Sequence, residues 1–205
     1  MIGLDKYMYN EGFAYRLLPL KPDTAVGPLE ASNTGKMYEN MMTKYKWGNM
    51  KNASYLDHES MTMFYPLITR LYSTLADDLA KAGKPDSARK VLKKYDEVMP
   101  TTINSLEIAV RKYYMIENAY RLNDIQLGNK LANLVDDYVS NQLDYSYALI
   151  QKGETNLENR DLQYSMQILG GLVEFSKQYK QPQLFNKFSA QLSGFEKKFG
   201  VTGKK

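Results

Sequence analysis

The sequence predicts an all-α fold: a helical-repeat array of about three helix pairs, wound as an α-α superhelix, behind a mostly irregular N-terminal segment. Three observations predict it. From residue 57 onward, apolar residues recur at helical spacing almost without interruption. Gly83, Asn123-Asp124 and Lys180-Gln181-Pro182 punctuate that run, leaving helix pairs over 58–99, 104–149 and 157–199. Residues 1–56 hold three of the seven prolines, in Leu18-Pro19-Leu20-Lys21-Pro22-Asp23 and Val26-Gly27-Pro28. The expected organisation is an N-terminal segment, 1–56, packing on a helical domain, 57–200, with a flexible tail at 201–205.

Taken in order, Ala14–Leu18 reads as a short strand and Lys36–Tyr45 as a short helix. Asp57 is the N-cap of the first long helix, whose apolar series is Met61, Phe64, Ile68, Leu71, Tyr72, Leu75 and Leu79. Pro66 lies inside that series and is expected to kink or split it, because it removes a donor and crowds the preceding turn. Gly83 ends the helix in a left-handed cap and Pro85 opens the next, where a missing N–H does no harm. The second helix buries Ala88, Val91, Leu92, Tyr95 and Val98 and stops at Pro100. Asn104 with Glu107 resembles a capping box for the third, which buries Leu106, Ala109, Val110, Tyr113 and Ile116. Asn123 suits a left-handed turn position. A fourth helix carries Leu131, Leu134, Val135 and Tyr138 and runs past Leu143. A fifth covers 161–179 and a sixth 183–199.

The stretch Tyr72–Pro100 narrows the class. Tyr72 stands at a consensus aromatic, Leu75-Ala76 at a Leu-small pair, Gly83 at the turn, and Ala88 and Leu92 at the small and large positions of the second helix. Pro100 closes the unit. This spacing resembles a tetratricopeptide repeat, so the array is expected to be tetratricopeptide-like. Tyr95 occupies a site usually small, and the later pairs are more degenerate: Ile116, Val173 and Phe185 fill small sites, while Gly128 keeps one. Those pairs must pack at wider spacing or use Gly170-Gly171 for close approach.

Composition fits a globular protein, 43% hydrophobic and 24% charged over 205 residues. Cysteine is absent, which excludes disulfides and thiolate metal sites and leaves the redox compartment undetermined. No apolar run is long enough to span a bilayer. The net charge of +4 comes from lysines scattered among acids, so no nucleic-acid partner is expected. Lys197-Lys198 and Lys204-Lys205 read as a solubilising terminus. Seventeen tyrosines against seven Phe and one Trp suit half-buried helix seams, with the ring packed and the hydroxyl wet.

Catalytic chemistry is not evident. A single histidine, His58, precludes paired-histidine metal sites, and neither a glycine-rich phosphate loop nor a GxSxG elbow is present. Asp77-Asp78 and Asp136-Asp137 are adjacent on helices, about 100° apart, and read as solvated faces. Neither a catalytic residue, a metal nor a cofactor is expected. Trp47, beside Gly48 and Asn49, is a structural anchor or a sugar-stacking ring.

Glu11-Gly12-Phe13-Ala14-Tyr15-Arg16-Leu17-Leu18-Pro19, Tyr45-Lys46-Trp47-Gly48-Asn49 and Tyr55-Leu56-Asp57 follow in order before the first repeat. Together they resemble the C-terminal soluble region of a Bacteroidetes-type membrane protein family of unknown function, itself similar to protein O-mannosyltransferases. The resemblance covers about Ile2 to Phe199. It implies a fragment whose transmembrane helices and catalytic acidic loops lie upstream, with Met1 as an added start. It also implies a place on the extracytoplasmic (periplasmic) face of the inner membrane, with the fragment itself soluble. Asp23-Thr24-Ala25 and Asp86-Ser87-Ala88 resemble short O-glycosylation acceptors of these bacteria, with Thr24 the better placed.

The expected function is a noncatalytic interaction module that binds protein or peptide, or positions substrate for a glycosyltransferase-like parent. Membrane contact would come only through the upstream region. The expected groove comprises Thr69, Tyr72, Ser73, Asp77, Lys112 and Tyr113. A carbohydrate-binding accessory domain, or a purely structural or oligomerisation domain, is the alternative.

Overall fold

Seven helices make up most of the described chain, residues 4–19, 31–53, 55–153 and 159–200 of a computed structural model. The all-α class holds, with one two-stranded sheet added among the described residues. Contacts divide the chain into two units, Met1–Pro100 and Thr101–Lys205. The N-terminal segment therefore shares a unit with the first helix pair.

The first unit opens on an antiparallel hairpin, β1 (Met8–Asn10) and β2 (Tyr15–Leu17), with Tyr9 opposite Arg16. β2 lies within the strand read from the sequence, and β1 was not anticipated. Helix α1 (Thr34–Glu39) is capped by the Asn33 side chain and extended by a π-helical turn, Asn40–Lys44. Asp57 accepts the Ser60 N–H at 3.0 Å, and that bond holds its carboxyl below the usual range. A second π-helical turn, Ser60–Phe64, precedes α2 (Tyr65–Lys81), which carries Pro66 in its first turn. The series is thus not split into two helices: the proline, with no N–H for the ladder, follows a π-turn that continues directly into α2 with helical backbone. Gly83 takes φ 70° and α3 spans Pro85–Val98.

Tyr65, Ile68, Leu71, Tyr72, Leu75, Ala76 and Leu79 of α2 are buried, as are Ala88, Val91, Leu92 and Tyr95 of α3. The Tyr65 hydroxyl donates to the Pro100 carbonyl at 2.6 Å. Burial pushes the phenols of Tyr65, Tyr72 and Tyr95 well above their ordinary value. A raised phenol favours the folded state fully below the unfolded value, about 10, and that contribution fades as pH rises through the folded value. Stability is therefore expected to fall above about pH 10. An absorbance titration should show these phenolates appearing together with loss of helical circular dichroism; smooth titration near pH 10 in a folded chain would contradict it.

In the second unit, α4 (Leu106–Arg121) starts one residue later than the expected capping box. Ser105 is the N-cap, accepting the Ile108 N–H at 3.3 Å, and Asn104 lies outside. Asn123 takes φ 60° and Asp124 caps α5 (Ile125–Gln151), which runs unbroken past Leu143. Lys180, also left-handed, separates α6 (Asn159–Gln178) from α7 (Pro182–Phe199). Helix α5 packs on α4, α6 and α7, α6 packs on α7, and α4 touches α6.

Aromatic rings stitch α4 to α6. Tyr113 stacks on Phe175 at 5.0 Å and Tyr120 on Tyr179 at 4.8 Å. Later residues of α4 meet later residues of α6, so the two helices run in the same direction. Tyrosine here serves the seam its abundance suggested.

Glycine makes the seam possible at one position. A Cβ on Gly171 would stand 2.0 Å from the Tyr113 hydroxyl, whereas one on Gly170 would meet nothing within 4 Å. Alanine ordinarily stabilises a helix by about 1 kcal/mol over glycine. Gly170→Ala is thus expected to stabilise and Gly171→Ala to destabilise by about 1–2 kcal/mol, since the Tyr113 ring must leave its stack. Urea unfolding of the two variants checks the opposite signs. Gly128 is the equivalent close approach against Tyr120.

Candidate functional site

The expected groove is largely interior. Thr69 is buried, its hydroxyl donating to the Tyr65 carbonyl at 2.9 Å and lying 3.2 Å from the Tyr95 hydroxyl. Tyr72 is buried between the rings of Trp47 and Tyr95, each 5.6 Å away. Lys112 is 2% exposed. These three side chains therefore cannot line an accessible groove as expected. The α2 face is occupied by this chain's own N-terminal segment. Ser73 is half-buried, Asp77 pairs with Lys81 at 2.6 Å, and half-buried Tyr113 belongs to the α4–α6 seam. Thr24 lies outside the described residues.

The N-terminal motifs explain that coverage. Glu11, 6% exposed, receives Asn33 Nδ2 and Arg16 Nε at 2.9 Å each through its carboxylate. Its carbonyl accepts Asn40 Nδ2 at 2.9 Å. Gly12 takes φ 115° and lies against Tyr45, whose hydroxyl accepts the Phe13 N–H at 3.1 Å. The Phe13 and Tyr45 rings each lie 5.9 Å from Trp47. The two motifs thus form one knot that seats Trp47 on Tyr72.

Among the described residues, an accessible concavity lies in the second unit. A cleft of about 530 Å³ is lined by Leu106, Glu107, Val110, Arg111, Tyr114, Arg160, Asp161 and Tyr164. It opens between the N-terminal parts of α4 and α6. Glu107, Arg111 and Tyr114 share one face of α4, at offsets of four and seven residues. On α6, Tyr164 neighbours both Arg160 and Asp161, at offsets of four and three residues. Each helix thereby presents one acid, one arginine and one tyrosine over an apolar floor of Leu106 and Val110. Tyr114 is 55% exposed and Tyr164 45%. Arg111 reaches Glu107 only at 3.9 Å, and its buried Nε has no hydrogen-bond partner among the described residues. Arg160 lies over the Tyr164 ring at 5.8 Å. A smaller cleft, about 330 Å³, is lined by Thr101–Ile103 and by Leu134, Asp137, Tyr138, Asn141 and Gln142 of α5.

Sequence periodicity assigned Leu106, Val110, Leu134 and Tyr138 to the core, yet they line these clefts. The signal that could have found the larger one is the acid–arginine–tyrosine triplet on each helix.

The expectation for Asp136 also changes. It is 1% exposed, not solvated: Lys187 Nζ lies 2.8 Å away, Ser140 donates at 3.0 Å, and Gln191 Nε2 approaches at 3.4 Å. This cluster is a polar seam between α5 and α7. His58 is exposed. Among the described residues, no three His, Asp or Glu side chains converge as a metal site would need. None of their helices is long and apolar enough to cross a membrane.

Comparison with protein-family models, with curated proteins and with solved structures gave no match.

Proposed function

We propose that this chain is a noncatalytic, tetratricopeptide-like interaction module whose ligand contacts lie in the α4–α6 cleft. The observation carrying this reading is the parallel setting of α4 and α6 over an open cleft. In stacked helix pairs the first helices stand side by side and line a common binding face. Here that face combines the exposed rings of Tyr114 and Tyr164 with two arginines and two acids, a makeup suited to ligand contact.

The ligand in this reading is a protein or peptide, or a substrate being positioned for an attached glycosyltransferase-like region. The setting in this reading rests on the sequence resemblance of the Glu11–Pro19 and Tyr45–Asn49 motifs to the membrane family. On that basis the module belongs to the extracytoplasmic side of a membrane-bound parent.

A library of peptides and glycans screened against the ¹⁵N-labelled chain tests the site. Hits are expected to shift the amides of Arg111, Tyr114, Arg160 and Tyr164. Hits that shift only other regions, or no saturable hit from either library, would overturn the reading.

A further inference from the structure

We infer that the occupant of the α4–α6 cleft is a neutral glycan, free or carried on a protein. This inference rests on the binding reading above and adds the chemical class of the ligand.

Charge is the first argument. The cleft lining holds two arginines and two acids, and each helix contributes one of each. Glu107 and Asp161 sit in the first turns of α4 and α6, where they offset the partial positive charge of the helix N-termini. An anionic ligand would meet both carboxylates, and a cationic one both guanidinia. A neutral ligand is repelled by neither.

Hydrogen bonding is the second. Guanidinium groups only donate and ionised carboxylates only accept. A ligand that satisfies both needs groups able to donate and accept at neighbouring positions, which hydroxyls on adjacent ring carbons provide. Arg111 is part-exposed and its terminal nitrogen stands 3.9 Å from Glu107, so that end of the guanidinium has donor capacity for a ligand hydroxyl.

Shape is the third. The exposed Tyr114 and Tyr164 rings each offer an apolar face with a polar tip, suited to a saccharide ring whose C–H face is apolar and whose rim is polar. Leu106 and Val110 supply a dry floor beneath them. A volume of about 530 Å³ falls within the range of small-ligand sites.

The test is a neutral-glycan array, followed by titration of the ¹⁵N-labelled full chain with each hit. An acidic and a neutral peptide of similar length serve as controls. Tyr114→Ala, Tyr164→Ala and Arg111→Met probe the cleft. Tyr114 and Tyr164 are exposed, so their truncation leaves the core intact, and a circular dichroism melt verifies it. The expected result is saturable, salt-insensitive glycan binding that shifts residues 106–114 and 160–164. Each variant should weaken it about tenfold or more. Glycan binding absent from the array, or unchanged in folded Tyr114→Ala and Tyr164→Ala, overturns the inference. If a peptide fills the cleft while glycans do not, the interaction module stands and the glycan assignment falls. If neither fills it, both fall.

Discussion

Tyr72→Ala is expected to destabilise the first unit by about 3–5 kcal/mol, the usual cost of truncating a fully buried aromatic side chain. Tyr72 has no exposed surface and touches rings on both sides, Trp47 from the N-terminal knot and Tyr95 from α3. Truncation therefore opens a cavity at the point where three segments of the unit meet. Tyr72→Phe keeps the ring and removes a buried hydroxyl that lacks a well-formed hydrogen bond, so it should fall within about 1 kcal/mol of wild type. Urea unfolding followed by fluorescence of Trp47, the single tryptophan, reads both variants. Equal losses for the two would show that the hydroxyl and not the packing carries the site. A functional consequence accompanies this: Tyr72→Phe should leave ligand binding in the α4–α6 cleft unchanged.

Asp136→Ala should cost the second unit about 2–4 kcal/mol. The carboxylate is buried and serves Lys187, Ser140 and Gln191 together, linking α5 to α7. Its loss removes the acceptor of the half-buried Ser140 hydroxyl, while Gln191 Nε2 keeps the Ser140 oxygen at 3.1 Å. Lys187 is 40% exposed and keeps Asn133 Oδ1 at 2.9 Å, so it returns partly to water, which holds the effect below that of a fully buried pair. Asp136→Asn preserves the shape and one acceptor oxygen and should cost about half as much. Thermal unfolding by circular dichroism checks the order; an Asp136→Ala variant as stable as wild type would mean the seam is held by the surrounding apolar contacts alone.

Punctuating residues made most of the helices readable in advance. Gly83, Pro85, Asn123 and Pro182 act through local backbone geometry, so their effects can be read from a few neighbours. The Ser105 cap was missed because Asn104 also fits a cap, and only the hydrogen bond to the Ile108 amide distinguishes them. The site was less legible. Tyr72 and Thr69 carry the composition of a groove, but whether they face a ligand depends on where Trp47 packs, 25 residues before Tyr72 in sequence. Leu106 and Val110 follow core periodicity and still line a cleft, because periodicity identifies the inward face of a helix without saying whether a neighbour fills it. Asp136 looked solvated beside Asp137, and its burial depends on α7 supplying Lys187 across 51 residues.

In the proposed function, ligand contacts lie between α4 and α6, while Trp47 of the N-terminal knot packs on Tyr72 of α2. A ¹⁵N chemical-shift map of the full chain with a bound glycan or peptide tests it most directly. The account predicts shifts centred on Arg111, Tyr114, Arg160 and Tyr164. Shifts centred instead on Thr69, Tyr72, Ser73 and Asp77 would contradict it.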